Sequence, residues 1–290
     1  MRSASTPIKE SSAGAQLAAA FVINTYAYTQ GGSVTECLNH LAELDCRAVE
    51  LMVYPGHLWP AELDTAARRE LRQLLEGRSM RLASLNMPNI DINIAAAAAE
   101  MRAYSLQLLS RFLELAGDLE AEVMIIGPGK PNPLFPAPRK ELTGHFYRAL
   151  DHLCILSEKV GTELLVENMP FAFLPDAESM TAAIEQYGND RIGICYDVAN
   201  AHFIGEDLGT GLRGVRDRLR LIHLSDTGQQ VYRHDPIGQG TVPFKDVPNL
   251  LNEVGYRGAS VLEIISSTPD EDMLEGGRRL IAMGWPPSGG

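Results

Sequence analysis

Eight short apolar runs, separated by stretches patterned as helices, restrict the folds open to this sequence more than any other feature. They fall at Phe21–Asn24, Ala48–Val53, Leu82–Asn86, Val123–Ile126, Glu163–Glu167, Ile192–Asp197, Leu219–Leu224 and Ser260–Ile264. Each is too short for a stable helix, and most are rich in Val, Ile and Leu, as strands buried on both faces require. Between them the apolar spacing changes to three and four: Met101, Tyr104, Leu108, Phe112, Leu115 and Leu119 share one helical face. Gly188 and Gly255 stand where helices should end on a left-handed residue. Strand and helix alternating eight times in roughly 250 residues is the arithmetic of a closed parallel (β/α)8 TIM barrel. An open doubly wound sheet fits less well, because no glycine-rich phosphate loop follows the first strand.

The chain of 290 residues is long enough for one large core, so a single barrel domain over residues 19–290 is expected. Residues 1–18, rich in Ser, Ala and Thr, are expected to form a loose N-terminal tail. Leu17–Ile23 has the look of a signal-peptide core, but Glu10 lies just ahead of it and Phe21–Val22–Ile23 reads better as the first strand. No apolar run approaches the ~20 residues that span a bilayer. The net charge of −12, from 25 basic and 37 acidic residues, disfavours a surface that neutralises nucleic-acid phosphates. Cys37, Cys46, Cys154 and Cys195 are widely spaced and form no C-x-x-C pair, so they read as buried reduced thiols of a cytoplasmic protein.

The polar residues gather at one end of the expected barrel, the C-terminal strand ends, where such barrels place their active sites. Strand five closes on Leu165–Val166–Glu167–Asn168, strand six on Ile194–Cys195–Tyr196–Asp197 and strand seven on Leu221–Ile222–His223, while strand eight carries Val261–Leu262–Glu263. Singly, each has an ordinary explanation. A strand-end Glu pairs with a cation, a lone His is a satisfied core residue, and Asp197 caps the following turn. Jointly, one such residue on each of four consecutive strands is a rare pattern. Three carboxylates converging on an imidazole repel one another, and a buried carboxylate is costly unless paired or bound to a cation. One divalent metal ion held by Glu167, Asp197, His223 and Glu263 is the natural compensation.

These motifs carry a resemblance. Val166–Glu167–Asn168, Tyr196–Asp197–Val198–Ala199–Asn200, Ile222–His223–Leu224–Ser225–Asp226, His234 with Gly238–Gln239–Gly240, and Leu262–Glu263 are its residues. Together they resemble the xylose isomerase-like barrel superfamily, and within it the sugar phosphate isomerase/epimerase group that shares its fold with endonuclease IV. The resemblance spans Phe21 to Ile281 and implies that Glu167, Asp197, His223 and Glu263 are the ligands of an epimerase-type site. The endonuclease branch needs three zinc ions and extra ligands, and the positions where those are expected hold Asn86, Asn200 and Tyr232. An endonuclease IV-like nuclease is therefore the minor alternative. Asn200 also stands where many relatives have a substrate-contacting histidine, for which His202 could substitute.

The chemistry implied is proton transfer α to a carbonyl. A hydroxy-carbonyl substrate would chelate the cation, which acts as a Lewis acid toward the enediolate. Glu167 and Glu263 would flank the reacting carbon, one removing a proton and the other returning it, each ligating through one oxygen. The oxygen-rich donor set suits Mn²⁺, Mg²⁺ or Co²⁺ and accepts Zn²⁺. His57, Trp59, Asn86, Asn200, His202, Arg233 and His234 are the expected substrate contacts. Asn168 could orient a ligand, and Lys130 could attract an anionic group, although no P-loop is present. The same proton abstraction followed by loss of a β-hydroxyl gives a second reading, a dehydratase of inosose or dehydroshikimate type. The expected partner is a carbohydrate-like small molecule, with neither nucleic acid nor membrane, and relatives of this kind are often dimers or tetramers.

Overall fold

In the computed structural model, which describes residues 20–87 and 91–285, eight parallel strands pair in chain order and close on themselves. They are β1 (Val22–Asn24), β2 (Ala48–Met52), β3 (Arg81–Asn86), β4 (Val123–Ile126), β5 (Glu163–Glu167), β6 (Ile192–Asp197), β7 (Leu219–Leu224) and β8 (Ala259–Leu262). Closure comes from β1 against β8, with Val22 opposite Val261 and Ile23 opposite Leu262. The (β/α)8 barrel expected from the alternation is therefore the observed fold. Strand eight stops two residues early, so Glu263 lies just past β8, yet its N–H still donates to the Leu224 carbonyl at 3.1 Å. The expected tail, residues 1–18, lies outside the described residues.

Nine α-helices are described: α1 (Val34–Glu43), α2 (Thr65–Gly77), α3 (Ala99–Asp118), α4 (Arg139–Val160), α5 (Ala177–Tyr187), α6 (Val198–Phe203), α7 (Leu208–Val215), α8 (Val247–Glu253) and α9 (Pro269–Ala282). Their starts follow from local chemistry. Ser33 and Glu36 form a capping box on α1, while Asp64, Asp176 and Asp207 accept from the first-turn amides of α2, α5 and α7. Gly188 ends α5 at φ +79°, and Gly255 follows α8 at φ +71°, the left-handed geometry anticipated for both. On α3 the apolar face is buried from Leu108 through Leu119, but Met101 and Tyr104 at its start are about half exposed and extend past the packed part of that face. Among the described residues no helix is long and apolar enough to cross a membrane. Cys37 and Cys195 are buried as expected, whereas Cys46 and Cys154 are only partly so; all four are free thiols.

The strand pleat sorts the barrel interior into two layers. The lower is apolar, formed by Val22, Ala48, Ala83, Val123, Ile125, Leu165, Cys195, Leu221 and Val261. Trp285 packs on the outer side of β8 with Phe21, its Nε1 donating to Ser260 Oγ at 3.1 Å. The upper layer, nearer the C-terminal strand ends, is polar and almost wholly buried: Asn24, Glu50, Ser84, Asn86, Glu167, Asp197, His223 and Glu263. Register sets its neighbours, placing Asn24 beside Glu50, Glu50 beside Ser84, and Asp197 beside His223.

Candidate metal centre and pocket

The four residues that the sequence placed on strands five to eight converge. One ligand-competent atom from each of Glu167, Asp197, His223 and Glu263 lies within 4.8 Å of the others. His223 Nδ1 sits 3.2 Å from Glu167 Oε1, 3.1 Å from Glu263 Oε2 and 3.9 Å from Asp197 Oδ2. Asp197 Oδ2 and Glu263 Oε2 are buried and make no hydrogen bond. Unpartnered buried oxygens are costly, and here both point into the same cluster. They fit a cation. The other Asp197 oxygen is already committed, accepting from the Asn200 N–H at 2.8 Å as the cap of α6.

Electrostatics gives the same answer. Burial pushes the Glu167 and Asp197 carboxyls up to about 7, against the pull of the imidazoles. Burial also acts on Glu263, but there His223 and His234 prevail and hold the carboxyl down at about 2. Burial opposes a charge on His223 too, yet its acidic neighbours keep its pKa well above the ordinary histidine value. Without a cation, the cluster cannot keep three negative charges at neutral pH at little cost. A divalent ion held by three carboxylate oxygens and one nitrogen removes that penalty.

A second set of residues supports the first, and its key member escaped the sequence reading. Glu50, in the middle of β2, is fully buried and fully engaged. It accepts from Asn24 Nδ2 at 2.6 Å and Ser84 Oγ at 2.5 Å, and faces His223 Nε2 at 3.0 Å. By taking Nε2, Glu50 turns Nδ1 toward the carboxylates, the usual way a ligating imidazole is oriented. The signal was an acid inside an otherwise apolar strand, Ala48–Val–Glu50–Leu–Met52. Asn24 and Asn86 each donate to Glu263 Oε1 at 3.3 Å, and Asn200 Nδ2 reaches Glu167 Oε1 at 3.4 Å. Asn168 pins β5 to β6, accepting from the Asp197 N–H at 2.7 Å and donating to its carbonyl at 3.0 Å. Asp226 anchors the loop after β7, accepting from the N–H groups of Thr227, Gly238 and Val242.

Over the cluster opens a cavity of about 320 Å³. Of the expected substrate contacts, Asn86, Asn200 and His234 line it, as do Lys130, Tyr26 and Tyr232. His57, Trp59, His202 and Arg233 do not. His57 is buried, its Nδ1 on the Gly32 carbonyl at 3.0 Å, and Trp59 stands edge-on to Phe112 of α3 at 5.3 Å, so both serve the packing behind β2. His202 pairs with Thr241 Oγ1 at 2.8 Å, leaving the lost strand-six histidine without a substitute in the pocket. Arg233 is mostly exposed, 3.9 Å from Asp235. Tyr232 instead occupies the inward position, its hydroxyl donating to Asn200 Oδ1 at 2.7 Å and facing His234 Nε2 at 2.8 Å. The other candidate ligand group among the described residues, Glu167–Cys195–His223, shares two members with the first, so both mark one centre.

Comparisons with known proteins agree with this fold. A family model for the xylose isomerase-like TIM barrel matches residues 38–283. Fructoselysine 3-epimerase of Shigella flexneri is 20% identical over 238 residues, covering 80% of this chain and 86% of its own length. The structure of an L-ribulose 3-epimerase superposes with a TM-score of 0.76 at 18% identity, covering 91% of this chain and 94% of the other. The IOLI protein, crystallised with a zinc atom, gives a TM-score of 0.74 at 16% identity, over 90% of this chain and 96% of that one.

Proposed function

The chain belongs to the xylose isomerase-like TIM barrel family, and from there we propose that it is a divalent-metal-dependent isomerase or epimerase of keto sugars, moving a proton at the carbon next to a carbonyl. The observation that carries this reading is a difference in access within the ligand set. The side chains of Asp197 and His223 have no exposed surface, whereas Glu167 and Glu263 keep 4% and 6% and line the pocket. Asp197 and His223 can only hold; Glu167 and Glu263 can also touch a bound molecule.

Bound by these four residues, a divalent cation supplies Lewis-acid polarisation of the substrate carbonyl, which makes the neighbouring hydrogen more acidic. Glu167 comes from β5 and Glu263 from beyond β8, with the two strands of Asp197 and His223 between them. Each carboxylate turns one oxygen to His223 Nδ1, Oε1 for Glu167 and Oε2 for Glu263; the second oxygen of Glu263 accepts from Asn24 and Asn86 at 3.3 Å. One of the two removes the proton and the other returns it. Opposite faces give epimerisation, and the same face gives aldose–ketose isomerisation. The oxygen-rich set favours Mn²⁺, Mg²⁺ or Co²⁺, and zinc is compatible with it.

A second reading has one observation in its favour. Loss of a β-hydroxyl after the same abstraction needs a proton donor, and His234 lines the pocket with Tyr232 OH 2.8 Å from its Nε2. Metal-loaded protein incubated with ketoses in D2O tells these apart. Isomerisation or epimerisation conserves the skeleton and takes up deuterium beside the carbonyl; dehydration loses water. Glu167→Gln and Glu263→Gln should each slow turnover by about 10²–10⁴-fold, and wild-type turnover in both would refute the assignment.

A further inference from the structure

The pocket lining includes an apolar wall of Met52, Met87, Met169, Pro170, Phe171 and Ile265. Phe171 is 59% exposed and Ile265 40% exposed, so apolar surface faces the opening. The Phe171 ring is held in place: it stands at 89° to Tyr232 with centroids 5.6 Å apart, and 6.0 Å from Phe203. Edge-to-face packing of this kind fixes a ring's orientation, and here it does so for a ring that gains little from burial itself.

Three polar groups of the same cavity, Asn200, Tyr232 and His234, are engaged with one another or with residues behind them, while Asn86 Oδ1 makes no hydrogen bond. Tyr232 OH bridges Asn200 and His234, His234 Nδ1 faces Ser225 Oγ at 2.9 Å, and the Asn200 amide donates to the Asn168 carbonyl at 2.9 Å. Sugar hydroxyls set against that wall would give up water for methionine, proline and phenylalanine, at roughly 1–3 kcal/mol for each one left unpaired.

We infer that the substrate is a keto sugar bearing a flat apolar substituent, an aryl glycoside in chemical class, whose aromatic part lies on Phe171 and against Ile265 while its ketol reaches Glu167 and Glu263. The ketol end rests on the proton-transfer reading above; the aryl end rests on the apolar wall alone. Calorimetry on metal-loaded protein with methyl 3-keto-β-D-glucopyranoside and its 4-nitrophenyl counterpart separates the two. The aryl compound should bind about tenfold more tightly, as one aromatic contact provides. That preference should vanish in Phe171→Ala, whose ring is mostly exposed and whose loss leaves the fold intact, and should shrink in Ile265→Ala. Equal affinities in the wild type, no binding of either compound, or a preference unchanged in Phe171→Ala would each overturn the inference. Deuterium uptake beside the carbonyl, read by NMR on the same compounds and on free ketoses, reports on the ketol end separately. Uptake in none of them would sink proton transfer while leaving the binding preference to the calorimetry.

Discussion

The upper layer of the barrel divides into two halves that are equally buried and differently satisfied. On the β1–β3 side there is one carboxylate, Glu50, and Asn24, Ser84 and His223 meet its oxygens. On the β5–β8 side there are three, and two of their oxygens, Asp197 Oδ2 and Glu263 Oε2, meet no hydrogen-bond donor. Burial alone therefore does not mark a functional acid. What separates the halves is whether the protein supplies the counter-charge itself or leaves the place for something bound. The supported half reaches the other through His223, which gives Nε2 to Glu50 and Nδ1 to the ligand cluster, and through the amides of Asn24 and Asn86, which donate to both Glu50 and Glu263.

Neutralising one acid in each half is the sharpest way to break this comparison. Asp197→Asn keeps the oxygen that caps α6 and replaces the one aimed at the cluster. Elemental analysis should find about one divalent ion per chain in the wild type and only background in the variant, with turnover lost alongside it. The metal-free variant should nevertheless melt higher than metal-free wild type at pH 8, since a repelled charge has been removed. If Asp197→Asn retains full metal content, the open half of the layer is structural too.

The opposite outcome belongs to Glu50→Gln. Gln can accept from His223 and Asn24 but carries no charge to strengthen the imidazole as a ligand. The metal stoichiometry should persist while the affinity drops about 10–100-fold, as for loss of an orienting partner. Metal-free stability should fall rather than rise. Competition against a chelator and a melting curve measure both. An affinity unchanged by the substitution would disconnect Glu50 from the centre.

Proton competition follows from the raised pKa values of the open half. Glu167 and Asp197 titrate near 7 in the metal-free fold, above the ordinary carboxylate range. A carboxyl raised on folding contributes stability at low pH, and that contribution is lost as pH climbs from about 4 through about 7. A bound cation must displace those protons. The rise in melting temperature on adding Mn²⁺ should therefore be larger at pH 8 than at pH 5.5. A shift of equal size at both values would mean that these carboxylates are ionised without metal.

Much of the architecture was legible because its signals are local. Short Val- and Ile-rich runs fixed eight strands to within two residues, and strand-end positions alone brought Glu167, Asp197, His223 and Glu263 together on paper before they met in space. Glu50 was visible as an acid in an apolar strand, but its role depends on the register that sets it beside Ser84 and under His223. The loops were the least readable. His57 and Trp59 follow β2 at a distance suited to the pocket, yet Gly32 and Phe112 take them away from it. Tyr232, noted in the sequence only as a departure, turns inward because Asn200 and His234 offer its hydroxyl two partners.

That hydroxyl supplies the finest test of how the rim is divided. Tyr232→Phe keeps the ring contacts to Phe171, Phe203 and His234 and removes only the bridge between Asn200 Oδ1 and His234 Nε2. One lost hydrogen bond, with the buried Asn200 oxygen left unpaired, should cost about 1–3 kcal/mol of stability. Metal content should be unchanged, since Tyr232 contributes no ligand atom. If the enzyme only moves a proton between Glu167 and Glu263, turnover should fall no more than a few-fold, because neither carboxylate touches the removed oxygen. A drop of about 10²-fold or more, with metal and fold intact, would instead put the Tyr232–His234 pair in the proton path and favour elimination over isomerisation.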